Sequence, residues 1–375
     1  MPTVICHLSS VHPRSDVRVF YKECLSLANT GYKVHLVLAD GQGNNLVSGV
    51  RIHDVGVYSS RLFRVIFSPI KVMLVGMKTK ARIFHFHDPE MLPISLCLKL
   101  LTGTKVIYDA HESYPDDLKY KDYLSKPLRI LASWAVGFIE AFMSRQLDAV
   151  VTVTDFHAQR FGHYNPNTFV VCNYPLLKEW KNMLDTTVVK QANSLCYVGS
   201  ITRKRGISHL LQAIEDLNVS LHLAGTYEPA EYRDELSKLP AWSKVIEYGY
   251  VQREQAIKLI SQAQIGVMLF LPEPNHINSL STKVFEYLAG ATCVLVSDFP
   301  VYQSLVTEGM CGIAVNPLNI KGISQAIQNL LADPNTCSLM GKQGRELIKT
   351  NYNWEAQENV LIDLYKKLGA QVRVL

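Results

Sequence analysis

The sequence predicts two doubly wound α/β domains in tandem, and three observations carry that expectation. Short β-branched runs alternate with amphipathic helical stretches along the whole chain, the pattern of parallel sheets built by βαβ crossovers. The series restarts after a polar stretch without clear period, Lys178 to Asn193, which reads as an interdomain linker. With 375 residues, 48% of them hydrophobic and 19% charged, the chain is long enough for two domains of ordinary size, each with its own core.

In the first half the strands read as Thr3–Leu8, Lys33–Leu38, Ile83–Phe86, Lys105–Tyr108, Ala149–Val153 and Phe169–Val171. Between the first two a helix is expected from Asp16 to Thr30. Val17, Phe20, Cys24, Leu27 and Ala28 fall at i, i+3, i+4 spacing, Asp16 caps it and Gly31 stops it. In the second half the strands read as Ser194–Val198, Val219–Leu223, Lys244–Tyr248, Ile265–Phe270, Cys293–Val296 and Gly312–Val315, with helices between them. Helices at Asn335–Lys349 and Trp354–Leu368 follow. Two such halves place the expected ligand site in the cleft between them, outside the carboxyl ends of the strands. No short-period repeat interrupts the pattern.

Composition narrows the function classes. A net charge of +5, from 38 Lys and Arg against 33 Asp and Glu, is too mild for a dedicated nucleic-acid binder and suits anionic small molecules or lipid surfaces equally. The cysteines Cys6, Cys24, Cys97, Cys172, Cys196, Cys293, Cys311 and Cys337 are scattered without a Cys-x-x-Cys pair, which implies a reducing compartment and no metal site. The opening MPTVICHLSS does not read as a secretory leader, and no run approaches the ~18–20 apolar residues of a membrane span. A cytoplasmic protein is expected.

The first strand-to-helix turn, His7 to Asp16, contains no glycine, which argues against a dinucleotide-dependent oxidoreductase. His12, Arg14, Asp16 and Arg18 read either as a polar lip gripping an acceptor or as solvated loop charges with a helix cap. The second half opens with a strand running into Gly199-Ser200-Ile201-Thr202-Arg203-Lys204-Arg205-Gly206 and then a helix. Arginine and lysine on a tight loop before a helix N-terminus suit a diphosphate. A third segment runs from Asn278 to Gly290 and would present a helix N-terminus to phosphate, with Glu286 able to accept two ribose hydroxyls. His85, Phe86, His87, Asp88, Pro89 and Glu90 end a strand. Alternation sends His85 and His87 to one face without a tetrahedral set, so the segment reads as an acceptor-side loop rather than a metal cluster. The basic, apolar and aromatic stretches Arg61–Arg82 and Lys126–Arg145 read as amphipathic helices burying one face, or as a surface for anionic membrane.

At these residues the chain resembles family 4 of the retaining glycosyltransferases, of bacterial polysaccharide-biosynthesis type, over essentially its whole length. Arg205-Gly206 matches the family's Lys-Gly after the first strand of the C-terminal domain, with Arg203 just before it. Lys283-Val284-Phe285-Glu286-Tyr287 matches the segment holding the second glutamate of the Glu-x7-Glu signature. Asp109-Ala110-His111-Glu112 is similar to the strand-end histidine near the transferred sugar, and Asn173-Tyr174-Pro175 to the turn closing the N-terminal domain. Gly249-Tyr250-Val251 resembles the turn that contacts the base, and Tyr352-Asn353-Trp354 the entry to the last helix. Two features depart from the pattern: Asn278 stands where the first signature glutamate falls, and the glycine pair of the first loop is missing. Asparagine can bond a sugar hydroxyl but supplies no negative charge.

The resemblance implies a GT-B fold, two facing Rossmann-like domains at residues 1–177 and 178–353, with a helix at 354–375 crossing back to the first. It implies transfer of a sugar from a UDP- or GDP-sugar to a glycan or polyprenyl-linked acceptor, with retention of configuration and neither cofactor nor metal. His111, Arg205 and Asn278 are the implied catalytic residues. Gly199, Ser200, Arg203, Arg205, Tyr250, Val251, Lys283 and Glu286 would hold the donor, and His12, Arg14, Asp16, His87 and Asp88 the acceptor. Location at the inner face of the cell membrane, through weak contact with anionic lipid, fits such an acceptor. Asn278 also motivates two alternatives, a non-catalytic sugar-nucleotide-binding subunit and a sugar-nucleotide epimerase of similar fold.

Overall fold

The computed structural model describes residues 2–119, 125–184 and 189–372. The chain divides into two compact units, residues 1–173 with 355–375, and residues 174–354.

The first unit is built on eight strands: β1 (Val4–Leu8), β2 (Lys33–Leu38), β3 (Asn45–Val47), β4 (Val50–Asp54), β5 (Ile83–Phe86), β6 (Lys105–Ala110), β7 (Ala149–Thr152) and β8 (Thr168–Val170). Their order is β3-β4-β2-β1-β5-β6-β7-β8, parallel throughout except for β3. Continuous apolar runs such as Ala149–Thr152 are buried on both faces, as strands covered by crossover helices must be. The hairpin β3–β4 is absent from the sequence reading. Its signal was only the alternation of Val50 and Ile52, buried, with Arg51, exposed, around a turn at Ser48 and Gly49.

The helix expected from Asp16 begins with a π-helical stretch, Val17–Cys24, and becomes α-helical only over Leu25–Asn29. The Asp16 side chain caps it by accepting from the Val19 amide at 2.8 Å, and Gly31 ends it with φ of +103°. The wider turn changes which residues point inward. Val17, expected in the core, is exposed, whereas Arg18, Lys22 and Glu23 are buried.

The second unit carries β9 (Ser194–Val198), β10 (Ser220–Ala224), β11 (Val245–Gly249), β12 (Ile265–Met268), β13 (Cys293–Ser297) and β14 (Gly312–Val315), ordered β11-β10-β9-β12-β13-β14 and all parallel. Leu195, Tyr197, Leu221, Val267 and Leu295 on these strands pack with Ile207, Leu210, Ile323 and Ile327 from the covering helices. The expected linker is in part ordered: Leu177–Leu184 is a helix whose Trp180 is fully buried, while its continuation at 185–188 lies outside the described residues. The boundary between the units therefore falls before Tyr174 rather than inside the polar stretch. The last helix, Trp354–Lys367, contributes Tyr365 to the first unit, where the Gln371 carbonyl accepts from the Thr3 amide at 2.9 Å.

Each sheet reverses its winding direction once, between β1 and β5 in the first unit and between β9 and β12 in the second. Within each unit the loops leaving those two strands diverge and open a crevice at that sheet's own carboxyl edge, where α/β sheets bind ligands.

Candidate functional site

In the second unit the loop after β9 is held by close backbone packing. Gly199 has φ of +136°, and a Cβ there would lie 2.7 Å from Lys283 Nζ. Gly206, at φ of +72°, precedes the helix Ile207–Ala213, and a Cβ on it would overlap the Leu269 carbonyl oxygen. Two cations meet over this loop. The Arg205 guanidinium sits 4.1 Å above the Phe270 ring and Lys283 Nζ lies 5.9 Å from the same ring. Among the described residues neither cation has a carboxylate within ion-pair distance. Burial first, and then the charge of Arg205, bring the Lys283 ammonium down to about 8. Glu286 opposes that shift from beyond ion-pair distance, and two like charges held together with no carboxylate in direct contact make a receptor for a polyanion.

The neighbouring expectations fare differently. Lys283 lies in the first turn of the helix Thr282–Ala289, whose entry is fixed by Tyr302. That hydroxyl accepts from the Ser281 amide at 2.7 Å and donates to the Ser279 carbonyl at 2.7 Å. Ser200 is anchored by its backbone, its carbonyl accepting from the Tyr197 hydroxyl at 2.7 Å. Arg203, expected on the phosphates, instead forms an exposed ion pair with Glu235 and stacks on Tyr232, because the 3₁₀ turn Arg203–Arg205 points the two arginines apart. Glu286 is half-buried and its Oε1 accepts from Arg253 at 2.5 Å, so one oxygen of the expected ribose acceptor is already engaged. Arg253 is in turn held by Glu179 at 2.8 Å and 2.9 Å. Neither Arg253 nor Glu179 was legible, since they stand 74 residues apart on different helices. Asn278 is exposed and ends the short helix Pro274–Ile277. Two residues before it, His276 donates from Nδ1 to the Leu271 carbonyl at 3.0 Å and packs against Phe270. Tyr250 follows Gly249, at φ of +63°, and is 75% exposed, with Val251 half-buried beside it.

In the first unit the loops after β1, β5 and β6 surround a cavity of about 610 Å³, walled on one side by His12, His87, Asp88 and His111 and on the other by apolar residues such as Val65, Val136 and Ile139. His111 bonds through Nε2 to Asp109 Oδ2 at 3.0 Å. Asp109 is fully buried. Burial alone would raise its pKa, but Arg18, bonded through Nε and Nη2 at 2.9 Å each, together with His111 and His87, holds it well below the usual carboxylate range. Asp88 accepts from Ser9 Oγ at 2.9 Å and the Ser10 amide at 2.5 Å. His12 meets Asp16 at 3.1 Å. Burial opposes its protonation, but that bond and the nearby carboxylates outweigh it and raise its pKa.

Two members of the expected acceptor lip are committed elsewhere. Arg14 forks onto Asp40 at 2.7 Å and 2.7 Å and donates to the Gly43 carbonyl, a tie between loops. Arg18 is turned inward by the π-helical stretch and pairs with Asp109 and Glu23. The reading of His85 and His87 as lacking a tetrahedral set also needs correction. Alternation does place both on one face, but β1 registers His7 beside His85, and the π-helical stretch delivers Glu23, so four potential donors converge within 4.8 Å.

Known proteins match both halves. The family described as Glycosyltransferase Family 4 matches residues 17–173, and that described as Glycosyl transferases group 1 matches residues 179–347. Alpha-maltose-1-phosphate synthase of Mycobacterium tuberculosis is 28% identical over 189 residues, 46% of this chain and 48% of that protein, so the chain spans about half the length of the curated relatives it matches. Among solved structures, sucrose-phosphate synthase of Thermosynechococcus elongatus superposes with a TM-score of 0.79 at 18% identity, covering 98% of this chain and 99% of that one. The Anabaena protein HepE in complex with UDP-glucose gives a TM-score of 0.71 at 12% identity, covering 98% and 100%. With the two family patterns together covering most of both units, and GT-B enzymes as structural neighbours, the chain belongs to the family 4 glycosyltransferases.

Proposed function

We propose that this protein transfers a sugar, with retention of configuration, from a UDP- or GDP-sugar to a hydroxyl of a glycan or polyprenyl-linked acceptor. The observation that carries the reading is the pair Arg205 and Lys283, two cations over a glycine-walled loop without a carboxylate partner among the described residues. The diphosphate lies there, and the free Oε2 of Glu286 accepts from the ribose. Support for a sugar-nucleotide donor also comes from HepE, which binds UDP-glucose. As the bond from the anomeric carbon to the phosphate oxygen breaks, Arg205 and Lys283 stabilise the growing negative charge, the work a divalent metal ion would otherwise do. The acceptor oxygen attacks from the same face and its proton passes to the departing phosphate oxygen, so no side chain serves as covalent nucleophile. In the first unit, His111, set by Asp109, faces the cavity that takes the acceptor, with His12, His87 and Asp88 on its polar wall.

A lipid-linked acceptor fits the surface of the first unit. The helices Arg61–Lys78 and Lys126–Ser144 expose Phe63, Ile66, Leu131, Trp134 and Phe138 beside Arg64, Lys71 and Arg129, and both helices contribute to the apolar cavity wall. No helix among the described residues is long and apolar enough to cross a membrane. The exposed side chains of the two helices support contact at the membrane surface, by apolar groups and attraction to anionic headgroups.

The test is to supply a panel of UDP- and GDP-sugars, with and without polyprenyl-phosphate sugars, in EDTA, and to follow products by mass spectrometry and NMR. Transfer or slow donor hydrolysis is expected. Binding without turnover under every acceptor would instead identify a sugar-nucleotide-binding subunit, and epimerised donor an epimerase.

A further inference from the structure

We infer that the core of the first unit holds a divalent transition-metal site of the zinc class, made by His7, Glu23, His85 and His87. All four side chains are almost wholly buried, from 0% to 2% exposed. Glu23 Oε2 lies 3.8 Å from His7 Nδ1, 3.8 Å from His85 Nδ1 and 3.9 Å from His87 Nε2, and the last nitrogen is 3.0 Å from His7 Nδ1. Ligands bound to zinc at their usual distances stand roughly 3.3 Å from one another, the edge of the coordination tetrahedron. The three separations from Glu23 must therefore shorten by roughly half an ångström, that between His7 and His87 must open slightly, and all four donors already lie within 4.8 Å of one another.

Two independent observations favour a cation at this point. Glu23 is sealed from solvent; its Oε1 is paired with Arg18 Nε at 3.1 Å, whereas its Oε2 makes no hydrogen bond. A buried carboxylate oxygen left without a donor is costly unless something compensates it, and three imidazole nitrogens face Oε2 at 3.8 to 3.9 Å. Two of the three outward nitrogens are also arranged as they are around metals, while that of His85, Nε2, has no partner among the described residues. His87 Nδ1 faces Asp109 Oδ2 at 3.2 Å, and His7 Nε2 faces the Tyr365 hydroxyl at 3.2 Å. Such outer partners fix the tautomer that leaves the inner nitrogen free to ligate. The Tyr365 hydroxyl also lies 2.8 Å from His85 Nδ1, so metal binding requires it to release that nitrogen. Three imidazoles and one carboxylate suit zinc and its first-row neighbours, not magnesium or calcium.

The consequence reaches the cavity. A metal on His87 Nε2 holds the Nδ1 proton toward Asp109, the carboxylate that orients His111. The site is a positioning centre, distinct from any cation on a donor diphosphate, and its existence does not depend on the proposed transfer.

The full-length, untagged protein from zinc-supplemented medium is assayed for metal after exhaustive dialysis, and reloaded with cobalt by refolding. About one metal per chain is expected, with the intense visible bands of four-coordinate cobalt and an X-ray absorption shell of nitrogen and oxygen. Glu23→Gln and His85→Asn should lose at least nine-tenths of the metal, while Cys97→Ser, an exposed thiol remote from the site, keeps it. Wild-type protein that stays substoichiometric by both routes, or a sulfur shell, overturns the inference. So does unchanged metal content in folded Glu23→Gln. If that variant does not fold, the wild-type cobalt and absorption spectra decide alone.

Discussion

Lys283 Nζ occupies the space that a side chain at position 199 would need, 2.7 Å from where its Cβ would stand. The glycine is required twice over, for its φ of +136° and for that approach. Gly199→Ala is expected to displace the ammonium and weaken binding of a nucleoside diphosphate at least tenfold, about 1.4 kcal/mol. Calorimetric titration with UDP and GDP measures it, and unchanged affinity in a folded variant would remove Lys283 from the donor site.

The two arginines of the loop should separate. Arg205→Ala is expected to lower kcat/KM at least tenfold, since removing one partner of a partly buried charged contact costs about 2–5 kcal/mol. Arg205→Lys keeps the charge and should retain much of the activity. Arg203→Ala breaks an exposed pair with Glu235 and a stack on Tyr232 and should change kcat/KM less than about threefold. Glu286→Gln should raise the donor KM with little change in kcat, because ribose lies away from the breaking bond. Steady-state kinetics decide, and equal losses at positions 203 and 205 would contradict the geometry.

Lys283 also sets a pH dependence. Its ammonium titrates at about 8 in the free protein, and a bound diphosphate raises that value. Donor affinity should be level below pH 8 and fall above it, by up to about tenfold per pH unit. The unfolded chain, with the ordinary 10.5, holds more protons between about 8 and 10.5, so this group's contribution to stability rises with pH there. At neutral pH the charge opposes folding. Lys283→Met should therefore melt at a higher temperature while binding donor more weakly, and a lower melting temperature would argue that the ammonium is already compensated.

Asp109 and His111 should divide stability from activity. Asp109→Ala leaves Arg18, 4% exposed, without its bidentate partner, and is expected to cost about 3–5 kcal/mol in urea unfolding. His111→Gln lies at the cavity and should lower transfer at least tenfold while shifting stability by less than about 0.5 kcal/mol. A reversed pattern would make His111 structural.

Vesicle flotation tests the exposed helices of the first unit. Binding to vesicles containing anionic lipid should be strong at low salt and decline steeply by 0.5 M, where screening falls to roughly 4–5 Å. Trp134→Ser with Phe138→Ser should abolish it at any salt. Equal binding to neutral vesicles would rule out the electrostatic part.

The periodicity of the sequence determined the two parallel sheets, nearly every strand to within a residue or two, and the glycine-flanked basic loop from Gly199 to Gly206. Those features are local: alternation, turn chemistry and loop composition are written in adjacent residues. Only the tertiary structure decided which loop charges face a ligand. Arg14, Arg18 and Arg203 read like Arg205 in the sequence, yet Asp40, Asp109 and Glu235, which lie 26 to 91 residues away, claim them. The π-helical stretch after Asp16 was equally hidden, because one widened turn turns Glu23 inward without altering the apolar pattern. Strand register then set His7 beside His85, so that histidines legible as one strand's alternation became one wall of a buried four-residue cluster. Charge pairing and register are settled by packing across the sheet, and a linear pattern carries no information about which distant residue arrives there.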